Sequence, residues 1–219
     1  MQQIVLRLDN TGDSEDSFTF QAGQYLEIVH PGGTTIPLSI ASSPLELPEL
    51  HLHYQSTPGA PGARLLDELL ETRQPLIIRG PAGNVAVAAL ETRPLLLICG
   101  GTGASQAISI LKDAVQRGAS RPVTLLACAD HEQDFYFQPL VDALAADWLE
   151  VVYRADAART PENLAMRWMA EHGRRYQDRR IILCGSPAFV YTASDVLVAA
   201  GIDGKQLESD VFAYAPRSG

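Results

Sequence analysis

Four consecutive residues, Gly100-Gly101-Thr102-Gly103, have the types and spacing to bind a phosphate group. They follow an apolar run at 95–99 and precede a segment of helical periodicity at 104–117. Glycines let the backbone turn sharply and approach a diphosphate, while the first amides and the dipole of the following helix attract its negative charge. The turn is not the GxGxxG fingerprint, and a tight turn without a ligand would look the same. We therefore predict a dinucleotide site, which a second element of the same kind would support.

A second turn of the same kind follows the apolar run 181–184, where Cys184 precedes Gly185, Ser186 and Pro187. Proline is favoured at the first position of a helix, so this segment also predicts a strand, a glycine turn and the start of a helix. The carboxyl ends of parallel strands meet at one edge of a sheet, where ligands bind. The two turns are therefore expected to form one cleft.

The second half of the chain has the pattern that would place these turns at such an edge. Apolar runs alternate with helical segments, and continuous apolar strands indicate burial on both faces, which predicts a five-stranded parallel sheet between helices. The predicted strands are 95–99, 123–129, 149–153, 181–184 and 211–214, and the helices 104–117, 138–145, 161–171 and 187–200.

The first half is organised differently, as short β segments separated by glycine and proline. This pattern favours a small antiparallel barrel or sandwich. The predicted strands are 4–8, 25–29, 36–41, 50–55 and 76–79, with a helix at 63–71 and a proline- and glycine-rich loop at 56–62. We expect a boundary near residue 90, which gives domains 1–90 and 91–219.

Composition narrows the class of protein. The 219 residues are 46% hydrophobic with a net charge of -9, and no basic cluster indicates a nucleic-acid partner. No apolar run approaches the length of a membrane span, and the N-terminus lacks a signal-peptide pattern, so a cytoplasmic location is expected. Cys99, Cys128 and Cys184 each end a predicted strand and fit no metal-ligand spacing, so we expect small buried side chains.

With both turns and the β-rich half in place, the sequence resembles the ferredoxin-NADP reductase superfamily, and within it the small flavin reductases that lack an iron-sulfur domain. The resemblance implies a flavin-binding antiparallel barrel followed by a nicotinamide-nucleotide domain, and hydride transfer from NAD(P)H to FAD, FMN or riboflavin. Its motifs are AGQYLEI at 22–28, IPLSIAS at 36–42, GPAGN at 80–84, ICGGTG at 98–103, LCGSP at 183–187 and DVFAY at 210–214.

The resemblance also implies roles for individual residues. Ser39 would hydrogen-bond near flavin N5, and Cys184 would lie beside the nicotinamide. The aromatic residues Phe212 and Tyr214 of the final predicted strand would approach the flavin, although packing alone gives the same sequence. The remaining predicted cofactor contacts are Ile36, Pro37, Leu38, Ile40, Ala41, Ser42, His53 and Tyr54 for the flavin, and Gly100, Gly101, Thr102, Gly103, Gly185, Ser186 and Pro187 for the nucleotide.

The chain departs from this family at the flavin side. Relatives carry an arginine that meets the flavin phosphate and an aromatic residue that packs on the ring, where this chain has Ile36 and Leu38. Losing a charge-assisted phosphate contact weakens flavin binding by about 1.5–3 kcal/mol, so the flavin is expected to dissociate readily. Arg64 or Arg79 could replace the arginine, although a solvated charge is the simpler interpretation. Relatives also carry an earlier N-terminal strand, whose absence would leave the barrel trimmed or closed by another strand.

The sequence leaves alternatives open for the nucleotide, for the function and for the oligomeric state. Asp130 follows the second parallel strand and favours NADH over NADPH, unless it merely opens a loop. His51 and His53 share a strand face without a third metal ligand, so we expect surface histidines and no metal. The protein could instead be a reductase that passes electrons to an oxygenase partner, or a degenerate non-catalytic nucleotide-binding protein. A monomer and a homodimer are both compatible with the sequence.

Overall fold

The computed structural model describes residues 1–9, 18–56, 62–88, 90–144, 146–158 and 163–217. Most of the predicted loop 56–62 lies outside these ranges, as do the first two residues of the helix predicted at 161–171. No helix in the described part of the chain is long and apolar enough to cross a membrane.

Five antiparallel strands form the first half of the fold, as predicted. Their alternating burial follows the period of two of a half-buried strand: in β2, Leu26 and Ile28 are fully buried and the residues between them are not. β1 pairs with β4, β2 lies between β3 and β5, and a bridge from Ile40 to Leu52 joins the two sheets. The elements are β1 (Gln2–Arg7), β2 (Tyr25–Val29), β3 (Thr35–Ser39), β4 (Glu49–Tyr54), α1 (Ala63–Thr72) and β5 (Ile77–Ala82).

The second half is a five-stranded parallel sheet, also as predicted, in the order β10-β9-β6-β7-β8. Residues 95–99 of its central strand are buried throughout, as expected for a strand covered on both faces. Its strands are β6 (Leu95–Gly100), β7 (Val123–Ala129), β8 (Leu149–Ala155), β9 (Arg180–Cys184) and β10 (Leu207–Glu208). Its helices are α2 (Ala104–Gln116), α3 (Gln138–Ala143), α4 (Leu164–His172), α5 (Pro187–Ala199) and α6 (Val211–Tyr214).

The prediction of a fifth strand at 211–214 is wrong. That strand is β10, and residues 211–214 form the short helix α6, in which Tyr214 N–H donates to the Asp210 carbonyl. Four residues are too few to distinguish a period of 2 from a period of 3.6. The helix places Val211 in the core beneath α5 and leaves Tyr214 exposed.

The parallel sheet has a hydrophobic core on each face, and residues from the first half of the chain contribute to one of them. α2 and α3 cover one face of the sheet, where Ala22, Ala41, Val85 and Val87 from the first half join them. α4, α5 and α6 cover the opposite face. Because residues of both halves pack into a single core beside α2, this helix lies at the junction between the barrel and the sheet.

Candidate functional site

The two glycine turns are in direct contact at the carboxyl edge of the sheet. β6 and β9 are neighbours, with Cys99 opposite Cys184. A Cβ on Gly103 would meet the Cys184 carbonyl and lie 2.6 Å from the Gly185 amide nitrogen. Glycine is therefore required at 103 for a close approach of two backbones, and the structure brings the two predicted turns together.

The first turn leaves space for a ligand at the start of α2. Gly101 has a φ of +57°, and a Cβ there would meet no atom within 4 Å. Thr102 is exposed, and no side chain caps the helix at Gly103. An uncapped helix N-terminus beside an open glycine is a suitable receptor for the pyrophosphate of a nicotinamide nucleotide.

The second turn is built by the start of α5. Ser186 accepts a hydrogen bond from the Phe189 amide, and Pro187 occupies the first turn of the helix. The Phe189 ring lies against both turns, since a Cβ on Gly100 would be 3.2 Å from it and one on Gly185 would be 2.8 Å away. The sequence analysis did not identify Phe189. The sequence feature that could have identified Phe189 is its position two residues after Pro187, within the first turn of the helix that follows Gly185.

The predicted flavin segment alternates between residues in the barrel core and residues that point out of it. Ile36, Leu38 and Ile40 pack in the barrel core, whereas Ala41 packs against the parallel sheet. Pro37 is exposed, Ser39 is half-buried, and Ser42 is fully buried, where its hydroxyl accepts a hydrogen bond from the His51 amide. The outward side chains of this segment are those available to a flavin ring.

Ile36, at the position where the resemblance implies an arginine, is only 6% exposed. A Cβ on Gly62, at the start of α1, would be 3.2 Å from its side chain. Arg64 is exposed and pairs with Glu68, and the exposed Arg79 pairs with Glu27. Each of the two arginines that could replace the missing cation is therefore paired with a carboxylate.

Tyr25 lies near both the predicted flavin segment and the start of α6. Tyr25 pairs with Ser39 between β2 and β3. Burial, followed by the charges of Asp210 and Tyr25, raises the pKa of Tyr214. A Cβ on Gly83 would lie 3.0 Å from both Tyr25 Cδ1 and Asp210 Oδ2, so Tyr25 lies beside the residue that precedes α6.

His53 departs from the expectation of a surface histidine. It is only 7% exposed, and a 3.1 Å hydrogen bond joins its Nδ1 to the hydroxyl of Tyr136 from the second half. Burial, with smaller contributions from the charges of Lys112 and His51, lowers the pKa of His53 to about 4. The imidazole is therefore neutral at pH 7, in the junction between barrel and sheet.

Three other predicted cofactor contacts, Tyr54, Phe212 and Asp130, differ in their surroundings. Tyr54 points into the barrel core, where its hydroxyl donates to the Ala63 carbonyl at the start of α1. Phe212 packs on Tyr191 in the core beneath α5. Asp130 directly follows β7, at the same edge of the sheet as the glycine turns. Tyr54 and Phe212 therefore contribute to packing, whereas Asp130 lies at the edge that carries the glycine turns.

The three cysteines are free and buried, as expected. Burial raises the pKa of Cys99 to about 12 and that of Cys128 and Cys184 well above the usual value for a thiol. Cys184 is therefore protonated at pH 7 and contributes shape rather than a thiolate to the turn.

Asp210 was also missed by the sequence analysis, although it begins the DVFAY motif. Its carboxylate accepts hydrogen bonds from the Asn84 and Val85 amides at 2.6 and 3.0 Å, and from Gln106 Nε2 at 3.0 Å. One carboxylate thus ties the GPAGN turn of the first half to α2 and to the start of α6.

Comparisons with known proteins agree with this geometry. A family described as "Oxidoreductase NAD-binding domain" matches residues 97–195, which include both turns. A probable flavin reductase of Photobacterium leiognathi is 31% identical over 214 residues, which cover 90% of this chain and 88% of the relative. The reductase component 1 of terephthalate 1,2-dioxygenase from Comamonas sp. is 28% identical over 204 residues, covering 90% of this chain.

The chain spans about 60% of the length of the terephthalate dioxygenase reductases that it matches. Among solved structures, the cytochrome P450 reductase of Amycolatopsis superimposes with a TM-score of 0.76 at 24% identity, over 95% of this chain and 64% of that protein. This structural likeness supports the shared two-part fold.

Proposed function

This chain belongs to the ferredoxin-NADP reductase superfamily, and from that premise we propose that it is an NAD(P)H-dependent flavin oxidoreductase. The observation that carries the proposal is the contact between the two glycine turns at one edge of the sheet. Cys99 and Cys184, which end the two strands, share a core with Ala41 of the segment from Ile36 to Ser42. We place the flavin-binding part at residues 1–90 and the nucleotide-binding part at residues 91–219.

In this proposal the protein contributes geometry. The first amides of α2 and the Gly100–Gly103 backbone hold the pyrophosphate, and Gly185 lets the nicotinamide approach the sheet edge closely. Ser39 offers a hydroxyl to the reacting edge of the ring, while the protonated Cys184 supplies an uncharged wall. A bound flavin supplies the acceptor for the hydride that leaves the nicotinamide.

The flavin is proposed to be a dissociable substrate. Ile36 fills the position of the phosphate-binding arginine, and Arg64 and Arg79 are paired with surface carboxylates. Recognition then depends on the ring, so riboflavin, FMN and FAD should bind with similar affinity. For the nucleotide we propose NADH, because Asp130 at the sheet edge accepts from a ribose hydroxyl but repels a 2′-phosphate.

A second candidate function is that of a reductase component that passes electrons to a protein partner. It is favoured by the similarity to the terephthalate 1,2-dioxygenase reductase components. A reductase of this kind would retain its flavin through purification and transfer electrons faster to its partner than to free flavin.

The test is a steady-state assay of NADH and NADPH oxidation with added riboflavin, FMN or FAD, together with an absorbance spectrum of the purified protein. We expect a colourless protein, a lower KM for NADH than for NADPH, and turnover with all three flavins. A yellow protein that reduces free flavin poorly would favour the second candidate.

Ser39→Ala should lower kcat/KM for flavin, whereas the matched variant Ser120→Ala, at an exposed serine beyond the far end of α2, should not. If no nucleotide and flavin pair turned over and no flavin bound, the chain would be a non-catalytic member of the family.

A further inference from the structure

α2 has a buried polar face in addition to the face that packs on the sheet. Gln106, Ser109 and Asp113 are spaced by three and four residues, so they share one side of the helix. A polar helix face ordinarily meets water. Here all three residues are buried, with Ser109 fully so, because the barrel covers them.

Each of these polar groups is satisfied by a residue of the first half. Ser109 Oγ donates to the Ser42 carbonyl at 2.7 Å, and Ser43 Oγ donates to Asp113 Oδ1 at 3.0 Å. Gln106 Nε2 donates to the Gly23 carbonyl. Buried polar groups that all have partners fix a helix in one register, since a shift would leave them unpaired.

The same helix begins at the first glycine turn. Ser109 lies five residues after Ala104, about 7.5 Å along the helix axis. Its partner Ser42 ends the proposed flavin segment and lies three residues after Ser39. The hydrogen bond from Ser109 to Ser42 is thus a buried polar link between the helix proposed to hold the pyrophosphate and the segment proposed to carry the flavin.

We propose that Ser109 is a positioning residue that sets how closely the nicotinamide approaches the flavin. This inference rests on the proposed function. Hydride donor and acceptor atoms must lie about 3–3.5 Å apart, and small errors in that distance slow transfer steeply. Ser109 contacts neither ligand, so its effect falls on their relative placement and not on the affinity for either one.

The test compares Ser109→Ala with Lys112→Gln. Lys112 lies on the same helix and also bonds to the first half, but its partner is Glu46, outside the flavin segment. Single-turnover hydride transfer is measured by stopped flow with NADH and FMN, and the Kd of each ligand by titration. A second readout is the long-wavelength charge-transfer absorbance of FMN with tetrahydro-NADH, a non-reactive analogue that reports stacking without turnover.

We expect Ser109→Ala to slow hydride transfer about tenfold and to weaken the charge-transfer band. Both Kd values should stay within about twofold of the wild type, and Lys112→Gln should match the wild type in transfer rate and band. If the alanine variant does not fold, Ser109→Cys keeps the side-chain volume with a weaker donor, and an intermediate loss is expected.

Wild-type rates and absorbance in Ser109→Ala would overturn the inference, as would equal losses in Lys112→Gln or a parallel loss of flavin affinity. A wild-type protein without a charge-transfer band would also overturn it. These outcomes leave the proposed function standing, which fails only if the wild-type protein neither binds flavin nor oxidises NADH.

Discussion

Replacing Gly103 by alanine tests the contact between the two turns. The backbone at Gly103 has a φ of -59° and a ψ of -18°, which alanine adopts without strain, so the effect of the substitution is purely steric. The new Cβ would lie 2.6 Å from the Gly185 nitrogen and against the Cys184 carbonyl. Both are backbone groups that no rotamer change can move aside.

The size of the expected loss in kcat/KM follows from the short distance between the new Cβ and the β9 turn. An ordinary van der Waals contact begins at 3.4 Å, so the start of α2 and the β9 turn must separate by at least about 0.8 Å to relieve the contact with the Gly185 nitrogen, and by more at the Cys184 carbonyl. A misplacement of about 1 Å costs on the order of 100-fold in rate. We therefore expect kcat/KM for NADH to fall about 100-fold, and overpacking to lower the free energy of unfolding by about 1–3 kcal/mol.

Gly118→Ala is the matched control at the other end of α2. Gly118 has a φ of +66°, and a Cβ at this position would have no atom within 4 Å, so alanine meets backbone strain but no clash. It should destabilise the protein by about 1–2 kcal/mol and leave the kinetics unchanged.

The assays are steady-state kinetics at saturating flavin, calorimetric titration with NAD+, and urea unfolding. If Gly103→Ala bound NAD+ and turned over like the wild type, with unchanged stability, the two turns would not meet as described.

Three further predictions address the flavin side, the junction and the C-terminal tail. Ile36 packs in the barrel core, so Ile36→Arg should bury an unpaired charge and lower the free energy of unfolding in urea by about 3–5 kcal/mol; unchanged stability would show that position 36 opens to solvent and could reach a flavin phosphate. The pKa of His53 is about 4 in the folded state against 6.5 in the unfolded chain, so the unfolded state binds the proton first and stability falls as pH drops from 6.5 toward 4. His53→Gln should flatten that part of the urea-unfolding profile, whereas a profile parallel to the wild type would contradict the assignment. Arg217 pairs with Asp195 at 2.7 Å and lies over the Tyr191 ring, so Arg217→Ala should accelerate hydrogen exchange in residues 212–217 with little change in Tm, and unchanged exchange would show that the pair does not hold the tail.

The two glycine turns and the strands before them could be predicted because their causes are local. Residues 95–99 form an apolar run of strand length, and the glycines that follow permit a turn that other residues resist. The alternation in β2 likewise set which of its side chains face the barrel core. The absence of a positive charge at position 36 was also evident from the sequence, because isoleucine stands where the resemblance implies an arginine.

Tertiary structure alone decided the features that depend on partners distant in sequence. His53 is buried because Tyr136, 83 residues later, covers it. The role of Asp210 in joining the two halves depends on the fold, which brings the Asn84 and Val85 amides to its carboxylate. Residues 211–214 form a helix because packing beneath α5 outweighs a four-residue alternation.

The sequence by itself determined a parallel sheet with two glycine turns at one edge, joined to an antiparallel barrel with an uncharged residue at Ile36. It could not determine how the two halves meet. The polar face of α2 at Gln106, Ser109 and Asp113 looks solvent-exposed in the sequence, because nothing within the helix distinguishes water from a barrel backbone as its partner. Only the folded chain brings the Ser42 carbonyl to Ser109, and that contact sets the spacing between the two proposed sites.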